Sequence, residues 1–345
     1  MSNLQIGSLN KLMIHFVGNK NNVEGVNLSS IESDFETTET ILQQMVEANF
    51  KTDELFQFYF EPNLALNPVF TFVKSIFNDA DNFIEQTINC TNYLYDKSNH
   101  PKIKSGEVYF LLLKNCVLEN EKADAICIIK TENKESFLKV IANKNGFKIN
   151  ADLGVATHKI DKGCLIFNTQ SDTGYKILIT DNTSRGADAQ YFKDDFLSVQ
   201  PIKNDYLQTN QFLGIAKNYV TQQLAEEFEV SKADQIDLLN RSVQYFKTHD
   251  EFDKDDFENE VFQNNDIIKS FQNFDNSYRQ NNDIEIENKF EISNQAVKKQ
   301  ARVFKSVLKL DKNFHIYIHG NRDLIEQGVE KDGRRFYKIY FNEEN

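Results

Sequence analysis

Six cations crowd into fifteen residues near the C-terminal end: Lys298, Lys299, Arg302, Lys305, Lys309 and Lys312, with Asp311 alone opposing them. Lysine and arginine hold phosphate oxygens by charge, so such a run suits contact with a nucleic-acid backbone. On a helix, positions 298, 302, 305, 309 and 312 advance by four and three and form one cationic stripe. On a strand, Lys305 and Lys309 still share a face. The pattern predicts a helix to about Arg302, followed by a hairpin around residues 311–313. A competing reading has these lysines solvating the outer face of an element whose other side carries Phe304, Leu308 and Leu310.

Two smaller constellations extend the same chemistry. Arg334 and Arg335 follow Gly333 in an expected turn, where they either widen the cationic patch or keep an edge strand soluble. Arg185 and Gly186 stand where a strand runs into a helix, a junction whose backbone N–H groups and arginine can hold an anion. In the rival reading, Gly186 serves the turn and Arg185 pairs with Asp188 or Asp194. Tyr191 and Phe192 follow; stacking on a base is weighed against burial at the start of an amphipathic helix.

Other chemistries find less. His315 and His319 are spaced to share one face of a strand, but no nearby cysteine completes a metal-ligand set. The acidic run 250–260 lacks the central glycine of a calcium loop and is expected to be a helix face. Asp124 and Lys130 on one strand, with Glu119 or Glu132, are the nearest approach to a Mg2+-dependent nuclease site. No GxSxG, Walker A, GxGxxG or HExxH motif occurs. Cys90, Cys116, Cys127 and Cys164 form no CxxC pair, and Cys116 and Cys127 lie in apolar runs that predict buried, inert thiols. No metal and no cofactor is expected.

Charge limits where DNA can touch. The formal net charge is -13, and a uniformly acidic particle is repelled by duplex DNA, so any contact must be local. Residues 250–291 hold thirteen Asp or Glu against four Lys or Arg. Residues 293–345 reverse the sign, with eleven bases against seven acids. Only seven arginines occur in the chain, and four of them lie at or beyond Arg302.

These residues need elements to position them. Strand-like runs occupy 4–17 and 55–60, and a helix capped by Ser33 or Asp34, with Glu36 available for a capping box, runs to about Asn49. Apolar residues at spacings of three and four predict one long helix over 67–95. Short apolar runs at 106–116, 123–131, 137–141, 147–153, 163–167 and 175–180 predict an antiparallel sheet or meander. Helical spacing then takes over through 189–197, 206–228, 232–246, 254–262 and 267–274. Strands return at 303–310, 314–319 and 335–341. The expected class is α+β, with mainly antiparallel sheet in the N-terminal half, a helical segment and a short C-terminal β region. Expected regions are a sheet-bearing 1–184, a helical 185–292 that turns acidic toward its end, and a basic 293–345 packed on the rest.

A hydrophobic share of 40% with 26% charged residues is that of a globular chain. Apolar runs such as 108–113 are about a third of the ~20 residues a membrane span needs, and residues 1–10 show no secretory signal. Cytoplasmic location without membrane association is expected.

Three stretches carry a resemblance. GEVYFLLLKNCVLENEKADAICIIKTE (106–132), YKILITDNTSRGADAQYFKDDFL (175–197) and FHIYIHGNRDLIEQGVEKDGRRFYKIYFN (314–342) together make the chain resemble the bacterial nucleoid-associated protein family of the NdpA, or YejK, type. The resemblance implies an α+β protein of the cytoplasm and nucleoid that binds DNA or DNA-bound proteins, and it brings no catalytic motif. The expected function is local, non-catalytic binding of double-stranded DNA without strong sequence preference. The alternatives are an interaction module recruited by a DNA-bound partner through the acidic helices, or a Mg2+-dependent nuclease. A homodimer is compatible with either binding reading.

Overall fold

The computed structural model describes residues 4–183, 191–304, 307–318 and 324–343. The chain forms two compact units, Met1–Ile202 and Lys203–Asn345. The class is α+β, as the hydrophobic patterning predicts.

In the first unit the strands are β1 (Leu4–Gln5), β2 (Ser8–Val17), β3 (Val26–Asn27), β4 (Phe56–Phe58), β5 (Gly106–Leu118), β6 (Glu121–Thr131), β7 (Glu135–Asn143), β8 (Gly146–Gly154), β9 (Lys162–Phe167), β10 (Lys176–Asp181) and β11 (Val199–Pro201). Nine of them make an antiparallel sheet in the order β11-β4-β10-β9-β6-β5-β2-β3, with β1 on β5. Successive side chains leave opposite faces of a strand. Phe110, Leu112, Ile126, Ile128, Cys164 and Ile166 enter one core, with α2 (Pro68–Asn78), α3 (Phe83–Lys97) and a π-helix at Tyr191–Leu197. Leu111, Leu113, Cys127, Ile129, Leu165 and Phe167 enter a second core, with Met45 and Val46 of α1 (Glu39–Asn49). Burial on both faces explains why the central strands read as unbroken apolar runs instead of alternating ones.

Three local expectations are corrected. The helix over 67–95 is two helices: Asp79 is extended, its carboxylate accepts from the Asp81 amide, and a 3-10 turn at Ala80–Asn82 precedes α3. Polar Asp and Asn side chains there bond the backbone locally and interrupt the helical ladder. Helix α1 begins at Glu39 after Thr38, because the Asp34 carboxylate accepts from Glu36 N in a local turn and caps no helix. Among the described residues, strands β7 and β8 pair only with each other, while β6 pairs directly with β9; the hairpin is an insertion, not part of a meander.

The second unit contains α4 (Asp205–Asn218), a π-helical segment at Tyr219–Gln223, α5 (Leu224–Glu227), α6 (Lys232–Thr248), β12 (Glu251–Asp253), α7 (Lys254–Val261), α8 (Asn265–Asn281), β13 (Lys289–Glu291), α9 (Asn294–Ala301), β14 (Val307–Leu310), β15 (Phe314–Tyr317), β16 (Ile325–Val329) and β17 (Arg335–Ile339). Its core is aromatic: the Phe252 ring lies 4.3 Å from Phe212, 4.6 Å from Phe290 and 5.3 Å from Phe246 between centroids. The acidic run 250–260 is therefore only partly helix. Phe252 and Phe290 pair across β12 and β13, and Asp253 caps α7 by accepting from Asp255 N and Asp256 N.

Candidate nucleic-acid interface

The basic segment does not form one helical stripe. Helix α9 ends at Ala301 with Arg302 at its C-cap, and the chain then builds the β14–β15 hairpin across residues 311–313, where Asp311 takes a positive φ of 53°. The hairpin is amphipathic by period two. Leu308 joins Ala233, Ile236, Ile318 and Ile325 in a small core, and Lys309 points outward opposite His315.

The cations differ in what they touch. Lys298, Arg302, Lys309 and Lys312 are exposed and make no ion pair among the described residues. Lys299 donates to the Tyr206 hydroxyl at 2.9 Å and lies 5.5 Å from that ring's centroid, so it ties α9 to α4. Arg334 pairs with Asp332 at 2.7 Å, whereas Arg335 stands exposed on β17 opposite Val329. Lys305, Arg185, Gly186, Asp188 and His319 lie outside the described residues.

Beside Lys309 is a groove of about 560 Å³ between α6, the end of α9 and the β14–β15 hairpin. Lys247, Lys309, His315, Gln244 and Asn240 supply its polar wall, and Phe304 and Val307 part of its apolar floor. Lys247 is exposed and unpaired among the described residues. Nothing in its sequence neighbourhood marks it, because α6 and the hairpin are brought together by tertiary contacts, Ala233 and Ile236 packing with Leu308 and Ile318 and Asn240 donating to Ile318 O. The groove can accept an anionic, partly apolar chain such as a phosphodiester backbone with its sugars.

Of the nuclease-like residues, Asp124 and Glu119 are not brought to Lys130. Asp124 accepts from Lys114 Nζ at 2.7 Å and from Asn115 N, and Glu119 pairs with Lys176 at 3.1 Å. Lys130 is six residues along the same strand, ~20 Å away at the rise of a β-strand.

Lys130 instead enters a buried network that sequence reasoning missed. Its Nζ donates to Lys104 O at 2.6 Å, to Glu132 Oε1 at 2.9 Å and to the Tyr191 hydroxyl at 2.9 Å. Burial pulls the Lys130 pKa down, opposed by Glu132, and pushes the Tyr191 phenol up. Lys162 pairs with Asp181 at 3.0 Å and donates to Thr183 Oγ1 at 2.7 Å. Thr183 and Tyr191, the described residues bordering 184–190, are thus each held by a buried lysine. Tyr191 and Phe192 are core residues, not a base-stacking platform. All four cysteines are buried and free, and burial raises their thiol pKa values.

Among the described residues no cluster of His, Cys, Asp and Glu is arranged to hold a metal, and no helix is long and apolar enough to cross a membrane. A comparison with curated proteins gives no match. The family described as nucleoid-associated protein YejK (NA37) matches residues 13–334, a span that includes most of the sheet, the buried lysine network and the basic groove. The chain therefore belongs to the nucleoid-associated protein YejK family.

Proposed function

We propose that this nucleoid-associated protein binds double-stranded DNA directly, through the unpaired cations around the groove of the second unit, and does so without catalysis. The observation that carries this reading is the convergence of Lys247 and Lys309 on one groove, next to a hairpin turn bearing Lys312. Lys298, Arg302 and Arg335 add exposed charge on the same unit, and Arg185 and Lys305 belong to the proposal from the sequence alone. With a net charge of -13, attraction is confined to such a patch. Lysine is a point charge without the planar fork that reads guanine, so a lysine-dominated site contacts backbone and discriminates little between sequences. The separation of Asp124 from Lys130 supports a binding role over a hydrolytic one. Cytoplasmic residence on the nucleoid follows from this reading.

The test is a titration of duplex DNA with the full-length chain over a range of salt. Expected is binding whose log K falls with log salt, with the slope reduced by ~0.9 for each phosphate contact removed by Lys309→Glu and Lys312→Glu. No binding at ~50 mM salt, or an unchanged slope in the double variant, overturns the proposal. Nucleoid recovery that survives nuclease digestion would assign the association to a DNA-bound protein, with the acidic helices of residues 232–291 as the contact.

A further inference from the structure

The β7–β8 hairpin presents an apolar face that the rest of the described chain does not cover. Register pairs Leu138 with Ala151, Val140 with Ile149, Ala142 with Phe147 and Ser136 with Leu153, so these eight residues share one face. Glu135, Phe137, Lys139, Ile141, Lys148, Asn150 and Asp152 occupy the other, so that face mixes charged groups with two apolar side chains, Phe137 and Ile141, which are less exposed than those of the first. The apolar face is open: Leu138 is 70% exposed, Val140 60%, Phe147 76%, Ile149 63% and Leu153 69%. Lone two-stranded hairpins are marginal in water, and soluble monomers rarely leave a contiguous apolar patch of this size uncovered.

We infer that the occupant of this face is the same face of a second copy, the two hairpins packing face to face about a two-fold axis. Three observations select a second copy. The first is charge: the face carries no ionisable group, while both signs lie on the reverse side, so packing two such faces buries no charge and leaves Lys139, Lys148 and Asp152 in water. The second is relief. Leu138 stands beside Ala151, Leu153 beside Ser136 and Phe147 beside Ala142, so three of the four pairs set a bulky side chain against a small one, around the bulky pair Val140 and Ile149. A surface of that kind interdigitates with its own copy. The third is area: five side chains at these exposures offer on the order of 600 Å² per copy, and a pair removes about 1,200 Å² from water, which reaches the range of specific dimers.

The inference concerns the first unit and stands independently of the DNA-binding proposal. Its test is the mass of the full-length chain by sedimentation equilibrium, for the wild type and for Phe147→Asp combined with Ile149→Asp. Both side chains are solvent-exposed, so the variant is expected to keep the far-ultraviolet circular dichroism of the parent while sedimenting as a monomer. The wild type is expected to sediment as a dimer. Val140→Cys, near the centre of the face, is expected to form a covalent dimer on mild oxidation, and Lys148→Cys on the reverse face is not. The native cysteines are buried and contribute no background. A monomeric wild type, which would leave the face to a different partner, overturns the inference. So does a variant that stays dimeric, or cross-linking that is equal from both faces.

Discussion

Lys130 and Tyr191 meet across 61 residues of chain, ammonium to phenol at 2.9 Å, with Glu132 accepting from both. The Lys130 side chain is fully buried and that of Glu132 is 5% exposed. Breaking a buried pair by removing one partner strands the other charge, at a cost of about 3–5 kcal/mol. Lys130→Met is expected to destabilise the first unit by that order, read as a fall in the urea midpoint. Adding Glu132→Gln should recover part of the loss, since the stranded charge is then gone. Equal losses in the single and double variants would contradict the pairing.

His15 predicts a pH dependence. It is buried, its Nδ1 accepts from Ser29 N at 3.1 Å, and its Nε2 lies 3.1 Å from Thr87 Oγ1, which itself donates to Ile84 O. Both ring nitrogens are engaged as a neutral imidazole, and burial lowers the pKa from 6.5 to about 4. Below pH 6.5 the unfolded chain takes a proton that the folded chain refuses until about pH 4. Stability therefore falls as pH drops through that window, by roughly 3 kcal/mol from this group. Denaturation midpoints followed between pH 7 and 4 should lose this component in His15→Gln. A decline of identical steepness in the variant would rule His15 out as its source.

Asp275 organises the second unit in the same manner. Its carboxylate is fully buried, with Lys254 Nζ at 2.6 Å on one oxygen and Arg279 Nε at 2.6 Å on the other. Arg279 also donates to Ile286 O at 2.8 Å, fixing the segment that follows α8. Asp275→Ala is expected to cost about 3–5 kcal/mol and to raise hydrogen exchange in α7, α8 and β13 ahead of the first unit. Unchanged protection in those elements would show that the bonds are not what holds them together.

These contacts mark how far the sequence could be read. The apolar runs of β5 and β6 identify strands because burial on both faces leaves them few polar positions. Their neighbours are set by contacts remote in sequence, such as Ile128 against Cys164, which no local pattern encodes. The β7–β8 hairpin has strand composition like theirs. Phe137 and Ile141 flank Lys139 on the face opposite Leu138 and Val140, and nothing in that local pattern says whether the strands join a larger sheet. The amphipathic hairpin at Lys309 was legible by period two, whereas Lys247 entered the groove through tertiary packing alone. Phe252 reads locally as part of an acidic helix, and only Phe290, on the paired strand β13, makes it a strand residue.

Adjacent lysines on α9 are expected to separate structural charge from the DNA-binding charge proposed above. Lys298 is exposed and unpaired among the described residues, while Lys299 is held by the Tyr206 hydroxyl and ring. A phosphate contact needs a cation free to shed its counterion, and an ammonium already seated on a phenol is a poor candidate. Lys298→Ala is expected to lower the salt dependence of duplex binding by up to ~0.9 in slope without moving the denaturation midpoint. Lys299→Ala should do the reverse, loosening α9 from α4 with a loss of about 1 kcal/mol and leaving the slope near that of the parent. Tyr206→Phe isolates the hydroxyl, keeping the ring under the ammonium, and is expected to show a smaller stability loss again with no change in slope. Salt-dependent titrations and urea denaturation of the three variants decide the assignment, and a slope that falls with Lys299→Ala but not with Lys298→Ala would place the phosphate contact on the wrong lysine.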